Sequence, residues 1–116
     1  MAPASSGASR ASQTAGLFGR EVDVSNPEAY ATEYAAKAQP ILKAAGAHYL
    51  ALAGAASSGA KLVAIDGEPP KRIAIHRWDS MEKLTATFNS PEYRELRKIG
   101  EKYAKFRIFA VDALPE

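Results

Sequence analysis

The chain has no cysteine. That excludes a disulfide framework, a thiolate metal site and a thiol nucleophile, and a reducing cytoplasm is the compartment it suits best. Nor is there an apolar run near the roughly 20 residues that a membrane helix needs, so no membrane partner is expected. No GxSxG elbow, phosphate loop or dinucleotide fingerprint occurs, and no cofactor is expected. Gly54–Gly59 contains glycine and serine but lacks the phosphate-loop lysine and the helix that should follow. With only two histidines and no Asp/Glu/His cluster at ligand spacing, no metal is expected either. The formal net charge of +2 is too small for a nucleic-acid binder, and aromatics are not interleaved with bases along a strand.

What is present fits one domain, since 116 residues suit a single core. Residues 1–20 are rich in Ala, Ser and Gly, carry Arg10 and Arg20, and have no acid. Such a composition cannot bury a core. Residues 1–19 are therefore expected to be a flexible extension, and residues 20–116 a single domain. The extension lacks the apolar stretch of a secretory signal, and its basic, serine-rich character also fits an organelle transit peptide. Further on, Glu21, Asp23, Glu28 and Glu33 stand without a base over residues 21–33. Residues 94–107 hold Arg94, Arg97, Lys98, Lys102, Lys105 and Arg107 against Glu95 and Glu101. Two solvated helix faces account for this asymmetry; a positive field for an anionic ligand is the alternative.

Leu17 to Val24 reads as a first strand, with Val22 and Val24 on one side and Glu21 and Asp23 on the other. Asn26-Pro27-Glu28 then starts a helix, and Tyr30, Tyr34, Ala38, Ile41 and Ala45 recur along one face until Gly46 ends it. Ala47 to Ala53 is a second strand, and Lys61 to Ile65 a candidate extension of that hairpin. Arg72 to Trp78 is a third strand. Asp79 or Ser80 opens a second helix, with Glu82 placed to complete a capping box with Asp79. Ser90 and Pro91 restart the helix, and Phe106 to Ala113 is the last strand. The order strand-helix-strand-strand-helix-strand predicts a ferredoxin-like α+β fold with a four-stranded antiparallel sheet. Strands 2 and 4 are apolar on both sides, so the sheet face away from the helices calls for a second cover. A homodimer through that face, a dimeric α/β barrel, is expected.

Several segments resemble the family called domain of unknown function 1330, within the dimeric α/β-barrel superfamily. They are Asp23-Val24-Ser25-Asn26-Pro27-Glu28-Ala29-Tyr30 with Tyr34, Ala45-Gly46-Ala47-His48-Tyr49-Leu50, Arg72-Ile73-Ala74-Ile75-His76-Arg77-Trp78, and Asn89-Ser90-Pro91-Glu92-Tyr93 with Arg97. The resemblance covers about residues 20–114. It implies a pocket between the sheet and its own helices. Superfamily members include cofactor-independent oxygenases, isomerases and cyclases, beside others that only bind small molecules. Arg77 stands where members usually carry an acid before the aromatic, and Ala47 where a second glycine is common.

Candidate chemistry rests on few residues. His48 and His76 can approach each other if strands 2 and 3 pair, and would then supply acid–base chemistry near neutral pH; satisfied structural histidines are the alternative. His76 shares strand parity with Ala74 and Trp78, which suggests a pocket floor and an aromatic wall. Tyr30, Tyr34, Tyr93 and Tyr103 face the sheet as core, or offer a phenol to a carbonyl or enol. Arg97 fits either a carboxylate fork or a surface ion pair. Asn89 fits a local cap rather than a ligand contact. The expectation is a small cofactor-independent enzyme acting on an oxygenated, anionic or aromatic small molecule. His76 is its acid–base, with Tyr34, His48, Trp78, Tyr93 and Arg97 around the ligand. A non-catalytic dimeric binding or accessory module is the alternative.

Overall fold

The computed structural model describes residues 14–54 and 59–115. Strand β1 is Gly16–Val24. Helix α1 begins as Pro27–Ala29, widens into a π-helical stretch at Tyr30–Ala35, and continues as α-helix over Ala36–Ala45. Strands β2 (His48–Ala53) and β3 (Arg72–Trp78) follow, then helices α2 (Met81–Phe88) and α3 (Pro91–Gly100), and strand β4 (Ala104–Asp112). The strands form one antiparallel sheet in the order β2-β3-β1-β4, which is the ferredoxin-like arrangement. Among the described residues no helix is long and apolar enough to cross a membrane.

Local chemistry sets the helix ends. The Asn26 side chain accepts the Ala29 N–H at 3.1 Å, with Pro27 in the first helical turn. Gly46 closes α1 at φ 129°, a left-handed angle that favours glycine. Of the two candidate caps for α2, Ser80 is the one used: its Oγ accepts the Lys83 N–H at 3.1 Å. Ser90 caps α3 through the Tyr93 N–H at 3.2 Å.

Three boundaries differ from the sequence reading. β1 starts at Gly16, which pairs with Trp78 and Asp112, so residues 16–19 belong to the sheet rather than to an extension. The Thr14 carbonyl also accepts the Met81 N–H. The rest of the proposed extension, residues 1–13, lies outside the described residues, as do residues 55–58 of the proposed turn. Lys61 to Ile65 adds no strand. Gly67, Pro69 and Pro70 follow it at once, and proline cannot donate to a ladder. Finally, α1 is not α-helical throughout, and its π-helical turn leaves Tyr30 and Tyr34 buried.

Strand parity divides the sheet into two faces. Phe18, Arg20 and Val22 of β1, Ala74, His76 and Trp78 of β3, and Tyr49 and Leu52 of β2 lie under the helices. Tyr30, Tyr34, Leu42, Leu84, Tyr93 and Leu96 complete that core. The opposite face carries Ile75, Phe109 and Val111, which are 37%, 53% and 54% exposed. A bulge between Tyr49 and Ala51 leaves the intervening Leu50 exposed as well.

Candidate functional site

A cavity of about 480 Å³ opens between the sheet and α1. Its floor is Arg20 and Val22 of β1, Leu52 and Ala53 of β2, and Arg72, Ile73 and Ala74 of β3. Its roof is the π-helical part of α1 and the turn after it: Tyr30, Ala31, Ala35, Ala36 and Gln39. Small alanines in the roof leave the room, and π-helical turns are frequent at functional sites. The walls are mostly apolar, with a few polar groups among them, as in small-molecule sites generally. A surface groove of about 720 Å³ between α1 and the α2–α3 corner, lined by Pro40, Ile41, Lys83 and Thr87 among others, has no buried charge.

Arg20 is the unusual wall residue. It is 8% exposed, yet no carboxylate among the described residues lies within ion-pair distance of it. Its Nε is buried without a hydrogen-bond partner, and its guanidinium lies 5.8 Å from the centre of the Phe18 ring. A buried cation is costly unless something compensates it. Arg72, partly buried in the same wall, holds its guanidinium 5.5 Å from the Tyr30 ring centre. Among the described residues no acidic side chain lines the cavity.

The next row of side chains along the sheet is aromatic and polar. His76 is fully buried. Phe18 stacks on its ring at 4.1 Å, and Tyr49 lies 4.5 Å away. Trp78 Nε1 donates to His76 Nδ1 at 3.0 Å. Since Nδ1 accepts, the ring proton sits on Nε2, which has no partner. Burial, and then the Arg20 charge, lower the His76 pKa to about 4, so the ring is neutral. Tyr49 Oη is also buried without a partner, and burial raises the Tyr49 pKa. The Tyr34 and Tyr93 hydroxyls bond each other at 2.6 Å. Burial and the adjoining Tyr93 push the Tyr34 phenol far above its ordinary value.

The expected site residues are only partly gathered here. Tyr34, Trp78 and Tyr93 are buried core residues, and none of them lines the cavity. His76 lies behind the cavity rather than at its mouth. His48 pairs with Arg77 while Tyr49 pairs with His76, so the two histidines point to opposite sheet faces; the expected His48–His76 approach does not occur. His48 instead lies 3.8 Å from Asp79, both exposed. Arg97 takes the ion-pair alternative. Its Nε is 3.2 Å from Glu101, at an angle that makes no hydrogen bond, and its guanidinium sits 4.8 Å from the Phe106 ring centre. Tyr103 donates to Glu33 at 3.2 Å. Sequence reasoning missed Arg20 and Arg72 as site residues. The available signal was parity: Arg20 shares the inward side of β1 with Phe18 and Val22. Among the described residues, no group of three or more His, Asp or Glu side chains could hold a metal ion.

A model of the family described as domain of unknown function (DUF1330) matches residues 17–114. No curated protein matches the chain. A solved structure of a protein of unknown function from Rhodopseudomonas palustris is similar at 14% identity and TM-score 0.63, covering 90% of this chain and 85% of that one. SnoaB from Streptomyces nogalater, a cofactor-independent oxygenase, is similar at 10% identity and TM-score 0.57, covering 89% and 96%. Likeness at such identities shows the fold alone.

Proposed function

The chain belongs to the domain of unknown function 1330 family, and we propose that it binds a small oxygenated anion in the cavity under α1. The observation that carries this reading is Arg20, a buried cation in the cavity wall with no carboxylate partner among the described residues. A ligand carboxylate offers the guanidinium the planar, charge-assisted partner that the protein does not. Arg72 adds a second positive charge in the same wall. Val22, Leu52, Ile73 and the roof alanines suit an aliphatic or aromatic body behind the acid. A second copy of the chain, docked through the open sheet face, is the expected protein partner.

A cofactor-independent enzyme using the same cavity is the second reading. Two arginines in an apolar enclosure can stabilise an oxyanion as it develops. The likeness to SnoaB supports this only as a fold-level analogy. Arg20 and Arg72 would carry the electrostatic work. An acid–base role for His76 has less support, because its ring is buried and held neutral.

Calorimetry with benzoate, hexanoate and 2-naphthoate, each beside its neutral amide, tests the binding reading. Acids should bind in preference to amides, and Arg20→Met should remove that preference. Equal binding of acid and amide, or no binding of any acid, refutes it.

A further inference from the structure

Three buried polar atoms near one another lack partners among the described residues: Arg20 Nε, Tyr49 Oη and His76 Nε2. The strand register explains their proximity. Phe18 and Tyr49 flank His76 on β1 and β2, and Arg20 follows Phe18 on the same side of β1. The Tyr49 and His76 ring centres are 4.5 Å apart, and Arg20 acts electrostatically on both. The three groups have a common chemical character. Arg Nε is a donor only, His76 Nε2 carries the ring proton because Nδ1 is occupied by Trp78, and the Tyr49 hydroxyl is free to donate. Orphaned buried donors are costly, and several in one place call for an explanation. From above, α1 brings the Lys43 ammonium, itself a donor, to 5.5 Å from the Tyr49 ring centre, while Tyr34 and Tyr93 are bonded to each other.

We propose that Arg20, which lines the cavity, and Tyr49 and His76 behind it form a donor-only hole for a phenolate or enolate oxygen. This rests on the anion-binding reading above and narrows the ligand to an acid that also carries an ionisable hydroxyl. The two arginines supply the spacing. Arg20 pairs with Ala74, and Arg72 pairs with Val22, so they sit diagonally on neighbouring strands, roughly 7–8 Å apart at the backbone. That separation lets a hydroxy acid move its carboxylate to Arg72 and set its hydroxyl oxygen, across one or two rings, at Arg20, where a plain acid sets its carboxylate. Ala74, one of two alanines in the floor, lies between Arg72 and His76 on β3, and the ligand oxygen passes over it. His76 is here a neutral hydrogen-bond donor, not a base.

The test compares 6-hydroxy-2-naphthoate with 2-naphthoate and with 6-hydroxy-2-naphthamide, by calorimetry and by naphthol fluorescence. The hydroxy acid should bind at least about tenfold tighter than 2-naphthoate, and its bound excitation spectrum should be that of the naphtholate at neutral pH. Tyr49→Phe, which removes one oxygen, should cut this preference several-fold. If both acids bind equally, or if Tyr49→Phe keeps the full preference, the oxyanion hole is refuted while acid-over-amide selectivity keeps the broader reading standing. If the hydroxy acid and its amide bind equally, both fall.

Discussion

Trp78 Nε1 lies 3.0 Å from His76 Nδ1, and this bond, from two residues along the same strand, fixes which nitrogen of the buried imidazole carries the proton. Burial, and then the Arg20 charge, make His76 a group whose protonation the fold resists. Its pKa is about 4 in the folded chain against an ordinary 6.5. Below pH 6.5 the unfolded chain takes up a proton that the folded chain refuses, so stability falls with pH. The contribution is fully present above pH 6.5 and lost progressively as pH drops to about 4. Its size is on the order of 3 kcal/mol at about 1.4 kcal/mol per unit. Denaturant midpoints measured from pH 7.5 to 4 should show this loss, and His76→Gln should flatten the curve. A wild-type profile no steeper than that of the variant would count against the buried neutral ring.

The Tyr34–Tyr93 hydroxyl pair gives a second prediction. Each hydroxyl is buried and satisfied by the other at 2.6 Å. Tyr34→Phe or Tyr93→Phe alone strands its partner and should cost about 1–3 kcal/mol. The double variant strands nothing, so its cost should fall short of the sum by at least about 0.5 kcal/mol. Additive losses in urea titrations would show that the two hydroxyls do not act as a pair.

Much of the architecture was readable because its punctuation is local. Asn26-Pro27, Ser90-Pro91 and Gly46 each act within a few residues, and each sits where the sequence reading put it. The site was less readable because it depends on register. Arg20 closes a segment whose alanine- and serine-rich composition hides that it is an inward strand position. The placement of His48 opposite Arg77 is a matter of one residue, and a one-residue slip exchanges the two sheet faces. The π-helical turn over Tyr30–Ala35 has no Pro or Gly inside it to mark it.

Two glycines accommodate aromatic rings on opposite faces of the sheet, and they should respond differently to alanine. A Cβ at Gly100 would stand 2.7 Å from Cδ1 of Tyr34, a fully buried ring held by Tyr93. Overpacking there costs about 1–3 kcal/mol, offset by up to about 1 kcal/mol of helix propensity. A Cβ at Gly19 would stand 2.5 Å from Cζ of Phe109, but that ring is half exposed and can swing away. Gly100→Ala should therefore lower Tm more than Gly19→Ala. The reverse order in thermal unfolding would contradict the packing described for Tyr34.

The swing of Phe109 bears on the dimer proposed through the open sheet face. Ile75, Phe109 and Val111 present apolar area there, flanked by charged Glu21 and Arg107, which lie 3.5 Å apart as an exposed pair. An apolar patch rimmed by charge is the pattern of an interface. Phe109→Asp puts a carboxylate into the middle of that patch in both copies of a symmetric pair, where burial without a partner charge is strongly unfavourable. The side chain is exposed within one protomer, so the fold itself should lose little, within about 1 kcal/mol. Sedimentation velocity should find the wild type dimeric at micromolar concentration and Phe109→Asp monomeric, with circular dichroism unchanged. Gly19→Ala, by displacing the Phe109 ring, should weaken the dimer without abolishing it. A monomeric wild type, or a Phe109→Asp variant that stays dimeric, would remove the sheet face as the site of association.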